Sequence, residues 1–394
     1  MLSERMTSVG SAAIGFWVRH GTAYEDPALA GISHLLEHMV FKGTAKRSAS
    51  MLAREIEALG GSLDAYTSHE HTSYQAWVPR QHVDLALDVL VDLVFEPQLR
   101  QEDLDLERRV VLEELAHAED TPEDVVFELH ASCLFGKHPY GASILGSRES
   151  LEAVDAGALR TLHARAYVPD NLVVAAAGDI VHDQIVETLR RLLPKRDAAP
   201  RPQLATPVRE SGEFQSVRRE GTRQSHIVLG GTAVPYVDPL RYAVTLVGTA
   251  LGDGMSSRLF QRIREELGLA YSVFSYQTFY ERGGHVGAYA GTGPDTIEAA
   301  RDALLDELKS LAREGLSADE IRATKEQMKG GLLLSLETNT ARMHRLAALA
   351  LYGEPYASLE GLAERIDAVR ASSVQEAASL YDPDRLAVLE LVPA

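Results

Sequence analysis

Three features of the sequence predict an α+β fold built as two tandem homologous domains, each an antiparallel sheet with helices packed on one face. A chain of 394 residues is too long for one hydrophobic core, so domains of about 200 residues each are expected. A polar, proline-rich stretch over 194–207, followed by Ser211-Gly212, can continue neither a helix nor a central strand. It divides the chain into a first domain over 1–200, a linker over 201–212 and a second domain over 213–394. The halves also echo one another. Arg54-Glu55-Ile56-Glu57-Ala58-Leu59-Gly60 resembles the segment beginning at Arg262, an offset of 208, and Tyr167-Val168-Pro169-Asp170 resembles the segment beginning at Tyr381, an offset of 214.

Each half runs strand, long helices, strands, then helices and a closing strand. Residues 12–18 and 226–230 are β-rich opening strands. Helical apolar spacing marks 29–41, 51–59, 83–95 and 102–119. The runs 62–78 and 269–290 follow as hairpin-like strands. Segregated helices and hairpins favour antiparallel α+β domains over a doubly wound sheet. Residues 127–134 form an apolar helical stretch holding the single cysteine, Cys133, as a core residue. Ser317-Ala318-Asp319-Glu320 has the form of a capping box opening a long helix, and Gly330-Gly331 within that helix is a point where it can bend.

Composition narrows the function classes. One cysteine excludes an internal disulfide and fits a reducing compartment. The first residues lack an apolar signal region, and no apolar run reaches the 18 or more residues of a membrane span, so a cytoplasmic location with no membrane partner is expected. A net charge of −18 argues against a nucleic-acid partner and would attract cationic ligands, basic peptides among them. Neither a dinucleotide fingerprint nor a P-loop is present.

The most specific chemistry lies in His34-Leu35-Leu36-Glu37-His38. Histidines four apart share a helical face and can reach one metal ion. Glu37 belongs to neither ligand position, which frees it to handle the protons of a metal-bound water. A catalytic zinc takes three protein ligands and leaves one position open. The third can come from the helical run Glu107-Arg108-Arg109-Val110-Val111-Leu112-Glu113-Glu114, whose Glu107 and Glu114 lie seven residues apart on one face. Val110 and Val111 are expected on that face, where they would partly bury the carboxylates and call for a compensating cation. Glu113 points about 100° away, toward solvent.

With these residues the chain resembles the pitrilysin, insulinase and mitochondrial-processing-peptidase family of zinc metallopeptidases, whose H-x-x-E-H motif makes them inverzincins. In that family a ligand glutamate follows some 75 residues later, in a segment of the form E-R-x-x-x-x-x-E; here 75 residues lie between His38 and Glu114, and Glu107-Arg108 opens the segment. The stretches 31–44, 59–72, 256–273 and 332–342 also look like family segments. The resemblance implies one Zn2+ per chain, held by His34, His38 and Glu114. It implies Glu37 as general base and Glu107 as a carboxylate orienting a ligand histidine. The implied activity is a zinc metalloendopeptidase acting on peptides or unfolded polypeptide segments.

In relatives, the strand matching 64–74 accepts substrate by edge pairing. They usually carry Asn where this chain has Asp64, and they begin with an extra strand of the type L-x-N-G-L, after which this chain starts. His69 and His71 are expected on one strand face, with no third ligand beside them. Arg264 and Tyr271 match an Arg and a Tyr that relatives use to hold substrate and stabilise the tetrahedral oxyanion. No H-x-x-E-H occurs after the linker, so the second half is not a second active site. In double-length relatives the Arg and Tyr come from the second half-molecule, which implies a homodimer forming a closed chamber. A heterodimer with an inactive homologue is the alternative. A non-proteolytic assembly or peptide-binding subunit is the reading from another class, and the intact motif argues against it.

Overall fold

The computed structural model describes residues 1–196, 203–207 and 214–394, so most of the linker expected over 201–212 lies outside the described residues. In chain order the elements are β1 (Leu2–Arg5), β2 (Ser11–Val18), α1 (Ile32–Val40), α2 (Ala49–Glu57), β3 (Ser62–Thr67), β4 (Thr72–Pro79), α3 (Val83–Phe95), α4 (Gln101–Glu119), α5 (Pro122–Phe135), α6 (Arg148–Ala153), α7 (Ala156–Ala166), β5 (Leu172–Gly178) and α8 (His182–Leu192). They continue with β6 (Phe214–Arg219), β7 (Ser225–Ala233), α9 (Arg241–Gly252), β8 (Ala270–Phe279), β9 (Gly284–Thr292), α10 (Ile297–Glu314), α11 (Ala318–Ser335), α12 (Asn339–Tyr352), α13 (Leu359–Asp367), α14 (Ala371–Ala378) and β10 (Ala387–Pro393). The chain folds into two compact units. The first holds Met1–Ala116, Ser143–Leu204 and Ser335–Tyr356; the second holds His117–Ala142, Ala205–Leu334 and Ala357–Ala394.

The two sheets have the same topology. In the first unit the order is β1-β5-β2-β4-β3, and in the second β6-β10-β7-β9-β8. Three of the four pairings in each sheet are antiparallel, as with Phe16 opposite Tyr74 and Ile14 opposite Ala176. The fourth differs from the expected antiparallel sheet. β1 lies parallel to β5, and β6 parallel to β10, so both sheets are mixed. Each parallel partner enters long after the edge strand in sequence, which satisfies the need of a parallel pair for a long crossover.

Each sheet is also covered on both faces rather than one. In β2, Ile14, Phe16 and Val18 join Leu35, Leu36, Leu90 and Leu93 in the main core of the first unit. The alternate residues Ala13 and Trp17 turn to the other face, where Met343, Leu346 and Ala347 of α12 cover them. The second unit repeats the arrangement: Ile227 and Leu229 pack with Leu246 and Leu304 on one face, while Val228, Tyr289 and Leu389 meet Val125 and Val126 of α5 on the other. The helix closing each sheet therefore comes from the opposite half of the sequence. A doubly covered strand reads as a continuous apolar run, and Ala12-Ala13-Ile14-Gly15-Phe16-Trp17-Val18 is one.

At the free edge of the first sheet, β3 alternates exposed Ser62, Asp64 and Tyr66 with half-buried Leu63, Ala65 and Thr67. Its link to β4 is a turn rather than the continuous strand expected over 64–74. Ser68 makes the turn by accepting from the backbone N–H of His71 at 3.1 Å and donating to its carbonyl at 2.9 Å. His69 and His71 thus sit in a turn, not on a strand face. Ser317 and Glu320 form the expected capping box, with Glu320 N–H to Ser317 Oγ at 3.2 Å and Ser317 N–H to Glu320 Oε2 at 2.8 Å. Among the described residues no helix is long and apolar enough to cross a membrane.

Candidate metal centre

α1 carries the histidine pair and is almost wholly buried, with Leu35, Leu36, Met39 and Val40 packed into the core. Its entry is fixed by Gly31, which caps the helix at φ +88°, and a Cβ there would stand 2.4 Å from the carbonyl oxygen of Leu145. Glu25 accepts the first backbone N–H groups, from Gly31 and Ser33, both at 2.7 Å. Burial outweighs those hydrogen bonds and pushes the Glu25 carboxyl up to about 7.

The four-residue step brings His34 Nε2 and His38 Nε2 to 3.3 Å. From α4, Glu114 Oε2 lies 3.7 Å from the first nitrogen and 3.6 Å from the second. Among the described residues, these three form the one group of His, Cys, Asp or Glu side chains close enough to share an ion. The triangle they make has a circumradius of about 2.0 Å, close to the length of zinc–nitrogen and zinc–oxygen bonds. Two imidazoles and one carboxylate are also a donor set zinc takes in hydrolytic sites. The residues therefore fit the metal. Burial, with His38 beside it, pushes His34 down to about 4, which keeps its ring neutral and able to ligate near neutral pH.

The remaining residues take distinct places. Glu107 is buried and accepts from His38 Nδ1 at 2.9 Å, which turns Nε2 toward the shared point. Its other oxygen is ion-paired with Lys42. Glu37 stays out of the triangle, nearly buried, and accepts from Thr67 Oγ1 at 2.6 Å. Burial raises its carboxyl, Glu114 and Asp64 add to the rise, and the Thr67 hydrogen bond and His38 oppose it. Val111 is buried as expected, whereas Val110 is 52% exposed, because the buried side of α4, marked by Leu104, Glu107, Val111 and Leu115, lies about 100° round the helix from it. Glu113 is exposed, as expected.

In the second unit, a π-helical turn over Phe260–Glu266 presents Arg264. Its guanidinium lies over the rings of Phe260 at 4.7 Å and Tyr271 at 4.6 Å. Tyr271 is 79% exposed, so Arg264 and Tyr271 form a paired, solvent-facing group. Thr67 and Lys42 were missed from sequence: Thr67 gains its role from strand pairing, and Lys42, four residues beyond His38, gains its role only where α4 brings Glu107 to α1.

Residues 1–148 match the family described as Insulinase (Peptidase family M16), and residues 153–328 match the one described as Peptidase M16 inactive domain. An uncharacterised zinc protease of Streptomyces coelicolor is 38% identical over 96% of this chain and 84% of its own length. One from Bacillus subtilis is 36% identical over 94% of this chain and 90% of its own. Among solved structures, a peptidase M16 inactive domain from Pseudomonas fluorescens superposes with a TM-score of 0.92 at 20% identity, over 100% of this chain and 95% of that one. A protease from Helicobacter pylori gives 0.91 at 20%, over 99% and 96%. At that identity the structural likeness concerns the fold.

Proposed function

This chain belongs to the insulinase family, peptidase family M16, as a relative of zinc proteases, and from that premise we propose that it is a zinc-dependent endopeptidase acting on extended peptides or unfolded polypeptide segments. The observation that carries the reading is the triangle of His34, His38 and Glu114 with a buried carboxylate, Glu37, beside it and outside it. One such group among the described residues supports a reading of one zinc per chain. Zinc supplies Lewis acidity, activating water and polarising the scissile carbonyl. Glu37 takes the proton of the attacking water and passes it to the leaving amine. Glu107, fixed on His38 Nδ1, keeps that ring in the ligating orientation.

The free edge of β3 supports an extended substrate, which it would hold by main-chain hydrogen bonds with limited demand on side chains. Thr67 belongs to that strand and also holds Glu37, so one segment would position both the peptide and the base. The net charge of −18 favours basic peptides. In this reading Arg264 and Tyr271 hold substrate and the developing oxyanion in a homodimeric chamber, each copy serving the other. A heterodimer with an inactive homologue would draw on the same residues, and the size-exclusion mass of the chain expressed alone separates the two.

Cleavage of a quenched basic peptide tests the activity. It is expected to stop on chelation, return with zinc, and fall at least a hundredfold in Glu37→Gln with zinc binding kept. Full activity in that variant refutes the mechanism.

A further inference from the structure

We propose that Lys42 is a positioning residue for the metal centre: it clamps Glu107 so that the carboxylate holds His38 in the ligating orientation. The inference rests on the zinc reading above and extends it to a residue outside the H-x-x-E-H motif. His34, His38 and Lys42 follow at four-residue steps, so the ammonium continues the face that carries the two imidazoles. α1 ends just before Lys42, whose N–H still bonds to the Met39 carbonyl at 3.1 Å. Its own carbonyl accepts from Arg100 Nη2 at 3.4 Å. Gly43 follows at φ +114°, where an added Cβ would stand 3.0 Å from the Arg47 carbonyl oxygen. The backbone at Lys42 is thus held on both sides, and its side chain is aimed at Glu107.

Glu107 needs such a partner. Its side chain is 7% exposed, and a buried carboxylate is costly without a cation and hydrogen bonds on both oxygens. His38 Nδ1 serves Oε1 at 2.9 Å and Lys42 serves Oε2. With both oxygens engaged, the carboxylate cannot rotate off the imidazole. With Oε2 released, rotation would free the His38 ring and blur the point that the three ligand atoms share. Lys42 lines an open cavity of about 450 Å³, which leaves room for other long side chains at this position.

The sign of the effect separates a clamp from a mere charge. Removing a cation near a metal site would by itself tighten binding of Zn2+, through lost repulsion. Removing a clamp weakens it, by about tenfold for residues that orient a ligand histidine. The experiment measures zinc affinity of the full-length apo-protein by competition with a fluorescent chelator, for wild type, Lys42→Met, Lys42→Gln, Lys42→Arg, Glu107→Gln and the Lys42→Met/Glu107→Gln pair. Thermal unfolding of each apo-protein checks the fold, and Lys42→Gln stands in should Lys42→Met not fold.

The proposal expects about tenfold weaker binding in Lys42→Met or Lys42→Gln, recovery to within a few-fold in Lys42→Arg, and no further loss when Lys42→Met is added to Glu107→Gln. Unchanged or tighter binding in Lys42→Met and Lys42→Gln overturns it, as does a loss that persists in the Glu107→Gln background. Absence of zinc binding in wild type would instead strike the parent reading.

Discussion

Replacing Thr67 with valine removes one hydrogen bond while keeping the shape of a β-branched side chain on β3. The bond is short, at 2.6 Å, and its acceptor is a nearly buried carboxylate. Short O–H···O⁻ bonds of this kind lie at the strong end, and a hydrogen bond to a charged group contributes about 1.5–3 kcal/mol. Thr67 donates to the ionised form of Glu37 and so lowers its proton affinity against the rise that burial imposes. Without it the carboxyl titrates higher still. Because the base works deprotonated, the acid limb of kcat/KM is expected to move to higher pH. On that limb activity falls roughly ten- to a hundredfold, at about 1.4 kcal/mol per decade. Thr67→Ser keeps the donor and should stay near wild type. The assay is the pH profile of kcat/KM on a quenched peptide, with zinc content measured alongside. An acid limb that stays put, or moves to lower pH, refutes the assignment of Thr67 as the group that holds the base.

Three further outcomes follow from the packing. Burial pushes His163 down from 6.5 to about 4, and its Nε2 meets the Val94 carbonyl at 2.9 Å; the unfolded chain therefore binds the proton first, so the stability this one residue contributes is full above pH 6.5 and falls by roughly 3 kcal/mol as the pH drops to 4, alongside the shares of His34 and His130. Urea unfolding across that window checks it, and an equally steep decline in His163→Gln would assign the loss to other groups. Gly31→Ala forces a side chain into left-handed backbone and against the Leu145 carbonyl, so a loss of at least about 1–2 kcal/mol is expected together with weaker zinc binding; wild-type melting and affinity would show the cap to be soft. Met343→Ala opens a void between α12 and the first sheet and is expected to cost about 2–5 kcal/mol in urea unfolding, a value under 1 kcal/mol meaning that α12 only rests on that face.

What the sequence disclosed divides along the line between local and long-range causes. His34, Glu37 and His38 were legible because their relation is one helical turn, and Glu107 with Glu114 because it is two. Thr67 and Lys42 were not, since each acquires its role only when β3 or α4 is brought against α1. Helical periodicity showed that 127–134 has an apolar face but not that α5 would serve the second sheet. The continuous apolar run of β2 did carry a sign of double coverage that an expectation of one helical layer passes over. The parallel pairing of β1 stayed hidden because residues 2–5 form too short a strand to stand out by pattern.

The exchange of α5 and α12 sets a timetable for the chain as it leaves the ribosome. The first sheet has all its strands once residue 178 is made, yet the helix that shields Ala13, Trp17, Val173 and Ala175 ends only at Tyr352. At 5–20 residues per second that interval is roughly 10–35 s, during which a broad apolar surface faces the cell. A truncated chain never closes it. Chaperone capture and quality control would therefore meet this protein chiefly through that uncovered sheet, and the unit bearing the metal ligands is complete only once Tyr356 has been made.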